Sequence, residues 1–143
     1  RIDPKLFESL QNSPLAPFLK EMGYLSHEEA LAQMKQAHLL LITNFPSAAS
    51  KGIIPGKLFE YLASEKRILS FGPAGADVQK ILEETRSGSH FTYEDSDSLK
   101  EFLKKEMESF ESGVKNEKSA SIEKFTRRAL TQSLVSALED LNS

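Results

Sequence analysis

The run His38-Leu39-Leu40-Leu41-Ile42-Thr43 decides the fold class. Its four central residues are apolar without alternation, which is typical of a strand covered on both faces, as the strands of parallel sheets are. Arg67-Ile68-Leu69-Ser70-Phe71 is a second run of this kind, and residues 57–64 between them have helical spacing. The order strand, helix, strand predicts a parallel pair joined by a crossover, with 38–43 and 67–71 as central strands.

The same alternation extends along the rest of the chain. Ser26 and Glu29 form a capping-box pattern at the start of a helix. Periodicity also predicts helices over 4–11, 76–86, 96–110 and 121–141, strands over 16–22 and 89–93, and a mobile polar linker over 111–120. The sequence therefore predicts an α/β, Rossmann-like fold over residues 1–143, with an open, mainly parallel sheet flanked by helices and a long C-terminal helix.

Composition excludes several kinds of site. The chain of 143 residues is 39% hydrophobic and 27% charged, which predicts a soluble globular domain, and no apolar run approaches the length of a membrane span. It has no cysteine, and its three histidines, His27, His38 and His90, lack metal-ligand spacing. The net charge is −3 without a basic stripe, which disfavours a nucleic-acid surface. We therefore expect no metal, no cofactor, no nucleic acid and a cytoplasmic location.

The loop over residues 44–56 is the first candidate site. Ligands of open α/β sheets bind beyond the carboxyl ends of the strands, where this loop begins. Gly52 and Gly56 allow backbone to approach a ligand closely, and Pro55 precedes a helix whose first N–H groups are free. Such a loop suits a phosphate group, although a plain turn between strand and helix fits the same residues.

Lys57, Glu60 and Tyr61 share one face of the helix that follows this loop. One interpretation is a solvated Lys57–Glu60 ion pair. The other is that Lys57 meets a diphosphate while Glu60 accepts hydrogen bonds from two ribose hydroxyls, because the two oxygens of a carboxylate match a vicinal diol.

Four segments together resemble a known family. Gly-Tyr-Leu-Ser-His-Glu-Glu-Ala-Leu (23–31), the strand 38–43, Ile-Pro-Gly-Lys-Leu-Phe-Glu-Tyr-Leu-Ala (54–63) and Arg-Ile-Leu-Ser-Phe-Gly-Pro (67–73) are similar to the C-terminal domain of group 1 glycosyltransferases, the family-4-like enzymes of GT-B fold. The resemblance implies transfer of a sugar from a nucleotide diphosphate-sugar to an acceptor, without an essential metal. It also implies that Glu60 holds the ribose, that the diphosphate meets Gly52, Ile53, Ile54, Pro55, Gly56 and Lys57, and that Ser26 lies near the base.

The resemblance has further implications. The chain would be the donor-binding part of a longer two-domain enzyme, with the acceptor bound by an N-terminal domain, and would be inactive alone. The resemblance also allows a location of the full-length protein at the inner membrane surface. Many members have a second carboxylate eight positions before the ribose carboxylate, where this chain has Gly52. The long last helix is expected to self-associate. Two alternatives remain: a non-catalytic regulatory or interaction α/β domain, and an epimerase or hydrolase of the same fold.

Overall fold

The computed structural model describes residues 3–113 and 122–141. The chain forms two compact units, the first ending at Ala30 and the second beginning at Leu31. Short 3-10 turns occur at Ala16–Phe18, Ala48–Ser50 and Ile122–Phe125. The helices and strands are α1 (Pro4–Gln11), α2 (His27–Gln36), β1 (Leu39–Thr43), α3 (Lys57–Ala63), β2 (Arg67–Phe71), α4 (Asp77–Thr85), β3 (Gly88–Phe91), α5 (Ser96–Glu111) and α6 (Arg127–Leu141).

The three strands form an open parallel sheet in the order β1-β2-β3. The predicted α/β fold with a parallel sheet flanked by helices is confirmed. β2 is the central strand, as predicted, but β1 lies at the edge of the sheet that the described residues form, so its prediction as a central strand is wrong. Thr43, Phe71 and Phe91 lie side by side, so the three strands end level with one another.

One face of the sheet is covered by α3 and α4. Their apolar side chains recur at helical spacing, and they meet the strand residues that alternate onto that face. Seven residues form this core: Ile42, Leu58, Leu62, Ile68, Val78, Ile81 and Leu82. Leu58, Ile68 and Val78 have no exposed surface at all, so this layer fixes both helices on the sheet.

The opposite face is only partly covered. The Phe102 ring of α5 lies 5.5 Å from the Phe91 ring, measured between centroids, whereas Leu41 of β1 is 55% exposed. Burial therefore alternates along β1, and the expectation that the run 38–43 is covered on both faces is wrong. The unbroken apolar run indicated burial on both faces of β1, but Leu41 faces solvent although it is apolar.

The apolar residues of α5, the helix predicted over 96–110, are also partly exposed. Met107 and Phe110 are mostly exposed, while Glu106 is the buried residue of the helix. One Glu106 carboxylate oxygen accepts a hydrogen bond from Nε of Arg67 at 3.2 Å, and the other lies 3.3 Å from Nε2 of His38. Arg67 is the first residue of β2 and His38 directly precedes β1, and the His38 contact lacks the geometry of a hydrogen bond. A buried carboxylate needs partners of this kind, which the local pattern of α5 does not reveal.

Two predicted elements are wrong. Residues 16–22 do not form a strand: Pro17 has no N–H for a ladder and lies in the 3-10 turn Ala16–Phe18. The single helix predicted over 121–141 is broken at Thr126, whose hydroxyl accepts a hydrogen bond from the Ala129 N–H and so caps α6. Most of the predicted linker 111–120 lies outside the described residues. Within those residues, no helix is long and apolar enough to cross a membrane.

The start of β3 depends on a glycine. Gly88 is paired with Ile68, and a Cβ on Gly88 would overlap the carbonyl oxygen of Ile68. Only glycine permits this approach, since the conflict is with backbone and cannot be relieved by a side-chain rotation.

We expect Gly88→Ala to lower the free energy of unfolding by about 3 kcal/mol or more, because β3 must move away from β2. Ser89→Ala, at the next position of the strand, is the matched control and should cost less than about 1 kcal/mol. Urea unfolding followed by circular dichroism measures both. Equal losses in the two variants would show that the close approach at Gly88 is no constraint.

Candidate functional site

The carboxyl edge of the sheet is where the three strands stop together. The ladder continues for one residue beyond the strands, with the Asn44 N–H donating to the Phe71 carbonyl at 2.8 Å and the Gly72 N–H donating to the Phe91 carbonyl at 3.1 Å. This edge is thus a rigid line of backbone, with the connecting loops rising from it.

The loop after β1 is held in place by its own polar groups. Asn44 is only 8% exposed, and its amide donates to the carbonyl of Ile53 at 2.9 Å. The buried Ser50 hydroxyl lies 2.6 Å from the Phe45 carbonyl and 2.8 Å from the Ser47 carbonyl. Because these hydrogen bonds join the beginning of the loop to its later residues, the loop has a defined conformation.

Gly52 lies against the start of α4. The Asp77 N–H donates to the carbonyl of Lys51 at 2.9 Å, and a Cβ on Gly52 would stand 3.9 Å from a carboxylate oxygen of Asp77. The other Asp77 oxygen accepts a hydrogen bond from the Lys80 ammonium at 2.8 Å. An acidic side chain is therefore present beside Gly52, although position 52 itself has none. Asp77 is not indicated by sequence pattern, because nothing in its spacing relates α4 to this loop.

The first turn of α3 has no side-chain cap, but its backbone N–H groups are partly used: the Leu58 N–H donates to the Pro55 carbonyl at 2.9 Å and the Phe59 N–H to the Gly56 carbonyl at 3.3 Å. Gly56 precedes the helix and provides no side-chain cap, and Lys57 is exposed. Glu60 is half-buried and lies outside the apolar core. Within residues 3–113 and 122–141, neither side chain has a hydrogen bond or an ion pair, so the interpretation of Lys57 and Glu60 as a solvated ion pair is not supported.

Glu60 also affects its neighbour electrostatically. Burial raises the pKa of the Tyr61 hydroxyl, and the negative charge of Glu60 raises that pKa further. Tyr61 consequently stays neutral well into the alkaline range. The Glu60 carboxylate therefore acts on a half-buried aromatic ring that packs against the core.

His90 and Tyr93 make hydrogen bonds at the β3 side of the carboxyl edge. Nδ1 of His90 lies 3.1 Å from the Ser70 hydroxyl, and Nε2 lies 3.2 Å from the carbonyl of Pro73. Since a carbonyl only accepts, Nε2 donates in its contact with Pro73, whereas the Ser70 hydroxyl can serve Nδ1 as donor or as acceptor. The Tyr93 hydroxyl donates to the Asn44 carbonyl at 2.7 Å, so the segment after β3 is joined to the loop after β1.

Gly72 fits between these groups. A Cβ there would lie 3.2 Å from Cε1 of His90 and 3.4 Å from Cβ of Asn44. The sequence pattern showed only that His90 lacks metal-ligand spacing, and it placed Tyr93 in the strand predicted over 89–93, whereas β3 ends at Phe91. The bonds they make connect residues 20 and 49 positions apart, which no local pattern indicates.

Ser26 lies in the first compact unit and forms the predicted capping box. The Ser26 N–H donates to the Glu29 carboxylate at 2.8 Å, and the Glu29 N–H donates to the Ser26 hydroxyl at 3.3 Å. These hydrogen bonds lower the pKa of Glu29. The structure thus gives Ser26 a role in starting α2, while its position near a nucleotide base stays a prediction.

Two other features bear on the choice of site. Among the described residues, no group of three or more His, Cys, Asp or Glu side chains is arranged to hold a metal ion. A groove of about 420 Å³ lies along α6, on the last helix and not at the strand ends, and is lined by Arg127, Arg128, Thr131, Gln132 and Val135. We regard the carboxyl edge as the candidate site, because in the part of the chain that the structure describes it brings unpaired charged side chains beside hydrogen-bonded loops.

Comparison of the chain with protein-family models, with curated proteins and with solved structures gives no match. The resemblance to group 1 glycosyltransferases therefore rests on the segments quoted above and stays a prediction.

The chemistry available at this edge is that of binding an anionic, hydroxyl-rich ligand. Lys57 offers an ammonium group and Glu60 a carboxylate that can accept two hydrogen bonds. Phe45, Ile53 and Ile54 are exposed apolar side chains in the same loop. Polar groups that converge beside apolar surface are typical of small-molecule sites.

We expect Tyr93→Phe to lower the free energy of unfolding by about 1 kcal/mol, because the buried Asn44 carbonyl loses its donor. Tyr24 is fully exposed, so Tyr24→Phe is the matched control and should leave stability unchanged. Chemical denaturation of the three proteins measures the difference. If both substitutions behave alike, Tyr93 does not hold the two loops together.

Proposed function

We propose that this chain is the donor-binding part of a glycosyltransferase, which holds a nucleotide diphosphate-sugar at the carboxyl edge of its parallel sheet. The proposal rests mainly on the environment of the Glu60 carboxylate. It is a half-buried carboxylate on the first turn of α3, with no hydrogen bond or ion pair among the described residues. Partly buried charges normally have partners, so a charge without one at a ligand-binding edge favours a partner that arrives in solution.

A ribose diol is the partner that suits Glu60. Two adjacent hydroxyls can donate to the two oxygens of one carboxylate, which gives two charge-assisted hydrogen bonds. The resemblance quoted above implies the same role for Glu60. In this proposal Glu60 is a binding residue, which fixes the nucleoside and thereby the sugar attached to it.

The diphosphate is assigned to the loop from Gly52 to Lys57. Gly52 and Gly56 present backbone without side chains, Gly56 leaves the start of α3 uncapped, and Lys57 is exposed with no acidic partner among the described residues. Ile53, Ile54 and Pro55 form the wall of the loop, which Asn44 fixes through the Ile53 carbonyl. Anions are favoured at such a position by the exposed Lys57 ammonium and by the helix dipole, since the Leu58 and Phe59 N–H groups already donate to backbone carbonyls.

Asp77 is proposed to supply the acidic side chain that position 52 lacks. Its carboxylate stands beside Gly52 and is held by Lys80. A carboxylate here would meet hydroxyl groups of the transferred sugar, whereas the diphosphate would be held on the side of Lys57. The acceptor and the remaining catalytic groups are assigned to a second domain, so the chain alone is expected to bind donor without transferring sugar.

Calorimetry on Glu60 tests the proposal. Glu60→Ala should weaken binding of UDP or GDP by at least about tenfold, since each charge-assisted hydrogen bond contributes about 1.5–3 kcal/mol. The 2′-deoxy nucleotide should bind the native chain more weakly than the ribonucleotide, and this gap should shrink in Glu60→Ala. Glu108→Ala, an exposed glutamate near the end of α5, is the matched control and should change neither affinity.

Several results would contradict the proposal. Equal affinities of both nucleotides for the native chain and for Glu60→Ala would remove Glu60 from the site. Absence of binding by the native chain at millimolar nucleotide would remove the carboxyl edge as a sufficient nucleotide site. Hydrolysis or epimerisation of a nucleotide sugar by the full-length protein, with no transfer to any acceptor, would favour the other enzyme class.

A further inference from the structure

The loop between β2 and α4 runs from Gly72 to Ala76 and is fixed at both ends. The Gly72 N–H donates to the carbonyl of the last residue of β3 at 3.1 Å, and Ala76 is completely buried. Between them, the Gly75 N–H donates to the side-chain oxygen of Gln79, in the first turn of α4, at 2.8 Å. Because strand and helix groups hold it from several sides, this loop has a defined conformation.

A histidine of the neighbouring strand holds the middle of this loop. Nε2 of His90 donates to the Pro73 carbonyl at 3.2 Å, and Nδ1 lies 3.1 Å from the Ser70 hydroxyl. Ser70 is only 1% exposed, so it is a fixed point within β2. The imidazole ring therefore fixes Pro73 relative to a buried strand residue. Without the ring, the Ala76 N–H at 3.3 Å is the remaining partner of that carbonyl in the described part of the chain.

The loop determines where the Asp77 carboxylate lies. Asp77 directly follows the loop, and its N–H donates to the Lys51 carbonyl at 2.9 Å. One carboxylate oxygen is bound by Lys80 at 2.8 Å, and the other lies 3.9 Å from where a Cβ on Gly52 would stand. The Asp77 side chain is 43% exposed, so a ligand held beside Gly52 can reach this second oxygen.

We propose that His90 is a positioning residue for recognition of the transferred sugar. It fixes the loop through Pro73, the loop places Asp77 beside Gly52, and Asp77 accepts hydrogen bonds from hydroxyl groups of the sugar. The inference rests on the proposed function and adds to it a residue of β3 that acts through Asp77 and not by contact with the ligand. A displacement of the carboxylate by about 1 Å takes such a hydrogen bond out of its normal range of distances.

The ratio of the affinity for UDP-glucose to the affinity for UDP isolates the sugar contact (GDP-mannose and GDP replace them if GDP is the nucleotide that binds). Asp77→Ala should lower this ratio by at least about tenfold, because hydrogen bonds to a charged group are lost. His90→Ala should lower it by at least about threefold, and neither variant should change the affinity for UDP. Glu60→Ala should instead weaken both ligands together and leave the ratio as it is.

Further variants distinguish positioning from general destabilisation. His38→Ala removes a partly buried histidine at the opposite edge of the sheet and is the matched control, which should leave the ratio unchanged. His90→Gln keeps an amide donor for the Pro73 carbonyl and should recover most of the ratio. His90→Leu fills the space without a donor and should behave like His90→Ala. The double variant Asp77→Ala/His90→Ala should match Asp77→Ala alone, since His90 then has nothing left to position.

Amide hydrogen exchange gives a readout without ligand. In His90→Ala the Asp77 N–H should exchange at least about tenfold faster than in the native chain, because its hydrogen bond to Lys51 depends on the loop. The amide of Leu62, in the core helix α3, should keep its native rate.

Three results would overturn the inference. An unchanged ratio in His90→Ala and His90→Leu, with Glu60→Ala still weakening UDP, would remove His90 and leave the nucleotide site standing. Losses that add in full in the double variant would show that His90 does not act through Asp77. Absence of UDP and GDP binding by the native chain would overturn this inference together with the proposed function.

Discussion

Strand β2 is hydrogen-bonded along both of its edges, and its two neighbours run parallel to it and end level with it. Its Ile68 side chain is completely buried under α3 and α4. The residue of β3 that pairs with Ile68 is Gly88, which has no side chain to overlap the Ile68 carbonyl oxygen. The positions of β1, β3 and both covering helices therefore follow from this one strand. The level ends bring Asn44, Gly72 and the residues after Phe91 to a common edge, where every loop discussed above begins.

At that edge the polar groups divide into two sets. Those of the loops are satisfied internally: Asn44 binds the Ile53 carbonyl, Ser50 binds within its own turn, and Tyr93 binds the Asn44 carbonyl. The charged groups of Lys57 and Glu60 have no hydrogen-bond or ion-pair partner among the described residues. A rigid frame around unsatisfied charged groups is what a preorganised site requires, since little ordering remains to be done when the ligand binds. The proposed nucleotide-sugar site is an inference from this contrast together with the family resemblance.

The sequence indicated the elements better than it indicated their environment. Apolar runs located β1 and β2, periodicity located α3, α4 and α5, and the Ser26–Glu29 pattern located the start of α2. Local patterns could not show that Leu41 faces solvent, that Glu106 is buried against Arg67, or that His90 and Asp77 lie at the candidate site, because each depends on elements distant in the chain. The break at Thr126 was missed for a different reason: the apolar residues on either side keep helical spacing across a residue that caps a new helix.

The central claim is that a nucleotide diphosphate binds at the loop before α3, and amide chemical shifts measure its position directly. Two-dimensional ¹H–¹⁵N spectra recorded while UDP or GDP is added should show the largest saturable changes at Gly52, Ile53, Ile54, Gly56 and Lys57 (Pro55 has no amide proton) and at Glu60. The amides at the opposite edge of the sheet, around Arg67 and Gly88, should stay unperturbed. Saturable changes confined to that opposite edge or to α6, with none between Gly52 and Glu60, would contradict the account.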